Sequence, residues 1–179
     1  MLKIKDACFV LVDVQGKLAQ SMDQKEQLFE NLIILIKGMK KLNIPMLWME
    51  QIPEKLGPTL PEFSELLTHI KPFWKSSFSG CGSAPFREAL VELNRKQVII
   101  AGIETHICVY QTTVDLLDLG YHVEVVCDAV SSRTLDNKSI GLKRIKNAGA
   151  NQTSTEMVLF ELLKNADHPE FKEIAKLVK

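Results

Sequence analysis

A cysteine near the start of a predicted helix is the feature of this sequence that most clearly offers chemistry. Cys108 lies in the segment 102–111, which follows an apolar strand-like run at 98–101 and leads into an amphipathic helix. The free N–H groups and partial positive charge at a helix start lower the pKa of a nearby thiol. The same N–H groups can hold a developing oxyanion. The segment therefore predicts a nucleophile for acyl transfer.

Two further reactive side chains follow predicted strands. Asp13 closes the strand-like run 8–12, and Lys75 follows the run 72–74. Each residue has an ordinary interpretation by itself, the aspartate as a turn residue, the lysine as a solvated side chain and the cysteine as core. Ligands of open α/β sheets bind beyond the carboxyl ends of the strands. The shared placement of Asp13, Lys75 and Cys108 therefore favours one common site.

Apolar runs alternate with helical patterns along the chain, which predicts an α/β fold with a parallel sheet covered by helices on both faces. The predicted strands are 8–12, 45–49, 72–74, 98–101 and 122–126. The predicted helices are about 28–42, 62–69, 83–94, 106–119, 136–147, 155–163 and 169–177, with a loop at 51–61. No linker divides the chain, so we expect a single domain over 1–179.

Composition narrows the class of protein. The 179 residues are 46% hydrophobic and 25% charged, with 22 basic and 22 acidic side chains and a formal net charge of zero. This balance predicts a globular protein without a nucleic-acid or membrane partner. The start of the chain does not resemble a signal peptide, and no apolar stretch approaches the ~20 residues of a membrane helix. The four cysteines lack CxxC or metal-like spacing, which favours a reducing, cytoplasmic setting.

Three sequence blocks resemble the isochorismatase-like cysteine hydrolases, a family that includes nicotinamidases and N-carbamoylsarcosine amidases. The blocks are FVLVDVQ at 9–15, KSSFS at 75–79 and GIETHICV at 102–109. The resemblance implies a Rossmann-like three-layer α/β/α sandwich with a mostly parallel central sheet. It also implies that Cys108 is the nucleophile, Asp13 the general base and Lys75 the third member of a catalytic triad.

The resemblance further implies a mechanism. Asp13 takes the thiol proton and later activates water, while Lys75 favours the thiolate by its charge. A carbonyl substrate passes through a tetrahedral oxyanion to a thioester, which water then hydrolyses. The backbone N–H groups of Glu104 and Cys108 form the oxyanion hole, and the family pattern places a cis peptide between Ile103 and Glu104.

The sequence departs from the nicotinamidase pattern at its metal site. The Asp-x-His-x-x-His motif of nicotinamidases is replaced at 50–58 by EQIPEKLGP, which contains no histidine. We therefore predict no metal and no cofactor, and nicotinamide is a poor candidate substrate. The 50–58 string resembles an uncharacterised isochorismatase-domain branch. Residues for the two carboxylates of isochorismate are not identifiable, and the family habit predicts a homo-oligomer, a dimer or larger.

Four residues are predicted to bind substrate, each with a plainer alternative. Gln15 orients Asp13 or the substrate, or caps its loop. Trp48 and Phe78 line an apolar pocket or belong to the core. His106 faces the pocket or packs on the surface. Thr105 caps the helix that carries Cys108.

These observations support a metal-independent cysteine hydrolase of a small molecule as the first hypothesis. The bond is an amide, or alternatively an ester or vinyl ether. The same fold could instead serve as a catalytically silent binding module. A thiol-redox function of Cys108 with Cys81 is a third possibility. A dinucleotide-binding domain is the remaining alternative, although residues 13–17 after the first strand lack a GxGxxG loop.

Overall fold

The computed structural model describes residues 1–179 and contains one sheet of six parallel strands in the order β3-β2-β1-β4-β5-β6. The strands are β1 Ala7–Val12, β2 Met46–Gln51, β3 Phe73–Lys75, β4 Gln97–Ile103, β5 His122–Ser131 and β6 Asn151–Thr153. The α-helices are α1 Gly16–Gln20, α2 Lys25–Lys41, α3 Pro53–Leu56, α4 Pro61–Ser64, α5 Ala84–Glu92, α6 Tyr110–Asp118, α7 Leu135–Asn147, α8 Thr155–Leu163 and α9 Phe171–Leu177. The predicted three-layer α/β/α fold with a parallel sheet is confirmed.

Helices cover both faces of the sheet, because alternate residues of a strand point to opposite sides. Phe9 and Leu11 of β1 belong to a core of 27 buried residues that also takes in α2 and α8. Cys8 and Val10 belong to a core of 19 buried residues on the other face, with α5, α6 and α7. The continuous burial of β1 follows from this double cover. None of the helices has the combination of length and apolar character that a bilayer crossing demands.

The functional segments meet where the strand order reverses. The chain passes from β1 outward through β2 to β3, then returns to pair β4 with the other side of β1. The carboxyl ends of β1 and β4 are therefore adjacent, at the place where open α/β sheets bind ligands. Gly102 lets the two strands approach, because its φ is 119° and a Cβ there would overlap the carbonyl oxygen of Val12.

Several predicted boundaries are wrong, and the reasons are local. The predicted loop 51–61 contains the short helix α3 and the first residue of α4, and each of these helices begins with a proline at its first helical position. The predicted helix 62–69 ends at Ser64. The strand predicted at 122–126 continues to Ser131, and β6 was not predicted because its sequence, Asn-Gln-Thr, is polar and lies at the sheet edge. Residues 105–109 form a π-helical turn before α6.

The buried thiol of Cys8 makes folding sensitive to alkaline pH. Burial raises the pKa of Cys8 from 9.0 to about 12, so the folded protein keeps this proton while the unfolded chain releases it above pH 9. The contribution of Cys8 to the unfolding free energy is fully present below pH 9 and is lost as the pH rises toward 12. At pH 10.5 the loss amounts to about 2 kcal/mol from this one residue.

We expect Cys8→Ala to reduce the fall in unfolding free energy between pH 8 and pH 10.5 by that amount. Val10→Ala, a truncation in the same core without a titrating group, is the matched control and should keep the wild-type fall. Denaturant unfolding at the two pH values measures the difference. An unchanged fall in Cys8→Ala would show that the thiol titrates alike in the folded and unfolded chains.

Candidate active site

The carboxylate of Asp13 forms a buried ion pair with Lys75. Asp13 follows the last residue of β1 and has a φ of 51°, a left-handed conformation that aspartate tolerates better than most residues. Lys75 is the last residue of β3, and its Nζ lies 2.6 Å from Asp13 Oδ2. The side chains are 0% and 2% exposed for the lysine and the aspartate. Two strand ends separated by 62 residues therefore bring the opposite charges together.

The ammonium group of Lys75 is fixed by more than its carboxylate partner. Nζ also donates to Gln51 Oε1 at 2.6 Å and to the carbonyl oxygens of Ser77 and Phe78 at 3.2 and 3.1 Å. Gln51 in turn donates its side-chain N–H to the carbonyl of Ser76 at 2.8 Å, which directs its oxygen toward the lysine. All three ammonium hydrogens are thus occupied, so Lys75 has a fixed position and no hydrogen left for a ligand.

Cys108 is brought beside Asp13 by the π-helical turn Thr105–Val109. The N–H of Val109 bonds the carbonyl of Glu104 at 3.2 Å, five residues back, so the turn is wider than an α-helical one. Cys108 and Asp13 line the same cavity, and the thiol interacts with the carboxyl closely enough to affect its pKa. Asp13 Oδ1 has no hydrogen-bond partner within the chain. It is therefore a free acceptor next to the thiol.

The pKa of the Cys108 thiol is raised, which corrects the prediction that the helix start lowers it. Burial and then the charge of Asp13 raise the pKa from 9.0 to about 12, while the Lys75 ammonium acts in the opposite direction. Burial also raises the pKa of Asp13, opposed mainly by Lys75. At neutral pH Cys108 is therefore a thiol, and reaction requires a base that takes its proton.

Glu104 offers both a free backbone donor and a side chain to the site. Its N–H donates no hydrogen bond within the chain. The peptide bond between Ile103 and Glu104 is cis, as expected. Glu104 Oε1 accepts hydrogen bonds from the backbone N–H and from Nε of Arg133, both at 3.1 Å. A free N–H beside a cysteine is the arrangement that an oxyanion hole needs.

The cavity around Cys108 is small and mostly apolar. Its volume is about 100 Å³, close to that of roughly three waters at liquid density. Its lining consists of Asp13, Leu18, Gln51, Leu56, Phe78, Ile103, Glu104, Ile107 and Cys108. Among the described residues, no group of three or more His, Cys, Asp or Glu side chains is arranged to hold a metal ion.

Three of the four predicted substrate contacts lie elsewhere. The amide of Gln15 is fully buried and bonds the N–H and carbonyl of Gln51 and the carbonyl of Gly57. Trp48 packs in the core and donates to the carbonyl of Ile70 at 3.2 Å. His106 Nδ1 lies 2.9 Å from Ser132 Oγ, outside the lining. Each of these three side chains has a structural contact and none is part of the cavity lining, so their roles in substrate binding stay predictions.

Phe78 does line the cavity and is 54% exposed, so its contact with substrate stays a prediction. Thr105 does not cap its helix, since its hydroxyl is buried without a partner. Cys81 is not part of the lining, and all four cysteines are free thiols.

Sequence reasoning missed two residues that the structure places in this network. Gln51 bonds Lys75, and its position as the last residue of β2 was a usable signal. Arg133 bonds Glu104 from a segment 29 residues further along the chain, and no local pattern marks it. Pairings of this kind arise from the sheet order rather than from spacing.

The side chain of Gln15 ties the segment after β2 to the loop after β1. Gln15→Leu would leave the N–H of Gln51 and the carbonyl of Gly57 without partners, at a cost of about 2–4 kcal/mol in unfolding free energy. Because Gln51 and Leu56 line the cavity, we also expect weaker ligand binding there.

Gln152→Leu is the matched control for this change, because its amide makes one exposed bond to the carbonyl of Leu142. We expect it to change stability by less than about 0.5 kcal/mol. Denaturant unfolding of both variants measures the difference. Equal losses would mean that the Gln15 bonds do not hold the loop.

Comparison with known proteins identifies a family and several relatives that resemble this chain. The isochorismatase domain model matches residues 7–157. The secreted isochorismatase effector of Phytophthora sojae is 44% identical over 149 residues, which cover 81% of this chain and 71% of that protein. Isochorismatase domain-containing protein 2 of Danio rerio is 37% identical over 177 residues, covering 99% of this chain and 89% of the relative.

A solved structure shows the same fold over almost the whole chain. The MAR1 ribonuclease of Caenorhabditis elegans superposes with a TM-score of 0.93 at 36% sequence identity. The superposition covers 99% of this chain and 91% of the other. The similarity therefore includes every strand end that contributes to the cavity.

Proposed function

Because this chain belongs to the isochorismatase family, we propose that it is a metal-independent hydrolase that uses Cys108 as its nucleophile. The substrate is a small molecule with a scissile C–N or C–O bond at a carbonyl carbon. One observation carries the proposal: Asp13 presents one oxygen to Lys75 and leaves the other unpaired beside the Cys108 thiol. A buried carboxylate with one oxygen held by a cation and the other free is suited to take a proton from the thiol.

The first step forms a C–S bond. As Cys108 Sγ attacks the carbonyl carbon, its proton moves to Asp13 Oδ1, and the C=O electron pair goes to the oxygen. Because burial raises the pKa of Cys108 and disfavours a free thiolate, the proton transfer accompanies the attack in this proposal. The backbone N–H groups of Glu104 and Cys108 stabilise the oxyanion.

The second half of the reaction returns the proton. The tetrahedral intermediate collapses, the leaving nitrogen or oxygen takes the proton from Asp13, and a thioester remains on Cys108. Water then attacks the thioester while Asp13 takes one of its protons, and that proton returns to the departing sulfur. The products are a carboxylic acid and an amine or alcohol. Lys75 is a positioning residue, since its fully used ammonium acts through Asp13.

Two activities suggested by relatives are not part of the proposal. Isochorismate carries two carboxylates, and the cavity lining contains no cationic side chain. The C. elegans relative is described as a ribonuclease. A phosphodiester anion would meet the carboxylates of Asp13 and Glu104 at the lining, while the Lys75 side chain is 0% exposed. Both ligands would be repelled rather than held.

Trapping the acyl-enzyme tests the proposal. The protein is mixed with p-nitrophenyl acetate, quenched in acid and digested, and the peptides are weighed by mass spectrometry. We expect one acetyl group on the Cys108 peptide of the wild type and none in Cys108→Ala. Cys81→Ala is the matched control and should acetylate normally. Acetylation spread over all cysteines, or none at Cys108, would contradict the proposal and favour a catalytically silent binding module.

A further inference from the structure

The charges around the cavity are distributed unevenly. Asp13 and Glu104 are lining residues and carry the only formal charges there. The two cations that pair with them, Lys75 and Arg133, are not lining residues. The side chain of Lys75 is completely buried, and that of Arg133 is 56% exposed, so water screens the charge of Arg133. A ligand inside the cavity therefore meets carboxylates before it meets any cation.

Glu104 keeps one oxygen available to a ligand. Both hydrogen bonds from Arg133 end on Oε1, and no group of the chain donates to Oε2. The side chain is 6% exposed, yet Oε2 is not among the completely enclosed atoms that lack partners. Glu104 belongs to the lining of this cavity, which is about 100 Å³ in volume, so its free Oε2 is an acceptor beside the ligand site. A buried carboxylate oxygen without a donor favours a ligand that supplies an N–H group.

From this arrangement we infer that Glu104 is a specificity residue that selects uncharged carboxamides over carboxylates, its Oε2 accepting an N–H of the amide. The inference rests on the proposed function and adds the substrate class to it. The apolar part of the wall, which includes Leu18, Leu56 and Ile107, suits a short hydrocarbon substituent on the amide. The carboxylic acid formed by hydrolysis carries a negative charge, so the same residue promotes product release.

Two alkylating reagents of similar size test the charge selection without a known substrate. Iodoacetamide is neutral and iodoacetate is anionic, and each transfers a two-carbon group, carbamidomethyl or carboxymethyl, to a thiol with release of iodide. The ratio of their rates at Cys108 is divided by the ratio at Cys127 of the same molecule. Cys127 lies outside the cavity, so it serves as the internal reference.

We expect the normalised ratio to favour iodoacetamide at least about tenfold in the wild type. In Glu104→Gln the normalised ratio should fall to about one or below. The carboxylate that repels iodoacetate is absent there, and Arg133 has no carboxylate partner and can attract the anion. In Arg133→Ala it should equal or exceed the wild-type value. A change that only loosened the structure would speed both reagents and leave the ratio constant. A wild-type ratio near one, or the same ratio in Glu104→Gln, would overturn the inference.

Reversible binding separates this inference from the proposed function. Saturation-transfer NMR with propionamide and propionate reports occupancy of the wild-type cavity without any reaction at sulfur. If Cys108 fails to react with either reagent but propionamide binds and propionate does not, the nucleophile is wrong and the charge selection stands. If Cys108 acetylates normally but the two ligands bind equally, the hydrolase stands and the role of Glu104 is wrong. Binding of neither ligand would also overturn the role of Glu104.

Discussion

Replacement of Cys108 by alanine should lower hydrolysis of p-nitrophenyl acetate, or of any carboxamide found to be turned over, by more than about a thousandfold. Cys108 is the only nucleophilic side chain in the lining that has a base beside it, and without it neither the C–S bond nor the thioester can form. The side chain is small and lies at the edge of the core, so the unfolding free energy of the variant should be within about 1–2 kcal/mol of the wild-type value.

Steady-state rates and denaturant unfolding are measured on the same preparations. Cys81→Ala is the matched control, because that cysteine is 7% exposed against 8% for Cys108 and lies outside the cavity. It should retain wild-type turnover. Full activity in Cys108→Ala, with a fold of unchanged stability, would rule out covalent catalysis by this residue.

Replacement of Lys75 by methionine should produce the largest loss of stability, about 3–5 kcal/mol. The change leaves the carboxylate of Asp13 buried without a counter-charge, and it removes the donor to Gln51 and the two carbonyls. The pKa of Asp13 should then rise further, because the Lys75 ammonium is the main influence that lowers it. Protonated Asp13 cannot act as a base, so activity should be lost even where the protein remains folded.

A double variant separates the charge from the packing. Lys75→Met with Asp13→Asn removes both charges and should recover much of the lost unfolding free energy without recovering activity. Asparagine suits position 13 because it tolerates a φ of 51°. Lys172→Met, a change at an exposed lysine, should alter stability by less than about 0.5 kcal/mol. A single variant Lys75→Met as stable as this control would mean that the ion pair contributes nothing.

The strand ends and the reactive residues could be predicted because their signals are local. Runs such as 8–12 and 98–101 are apolar enough to indicate buried strands, and the ends of such strands indicate where a site lies. Asp13 and Lys75 were found in this way. Homo-oligomer formation and a cytoplasmic setting were predicted from family habit and cysteine usage, and both stay predictions.

Features that depend on tertiary contacts could not be predicted. The helix start suggested a lowered thiol pKa for Cys108, but burial and the adjacent carboxylate of Asp13 prevail and raise it. Gln15 has the polarity of a ligand-binding residue, yet backbone groups of a distant segment use its whole amide. The bond from Arg133 to Glu104 follows from the packing of β5 next to β4, which no local pattern specifies.

Competitive alkylation of Cys108 and Cys81 at neutral pH is the most direct test of the assembled nucleophile. The two thiols are almost equally exposed, and burial raises their pKa values to about 12 and about 11. The fraction of thiolate alone therefore gives Cys108 no advantage over Cys81. We expect Cys108 to react faster with iodoacetamide instead, because Asp13 takes its proton during attack, and to lose this advantage in Asp13→Asn. Faster reaction of Cys81 in the wild type, or an unchanged advantage of Cys108 in Asp13→Asn, would contradict the role of Asp13 as the base that activates Cys108.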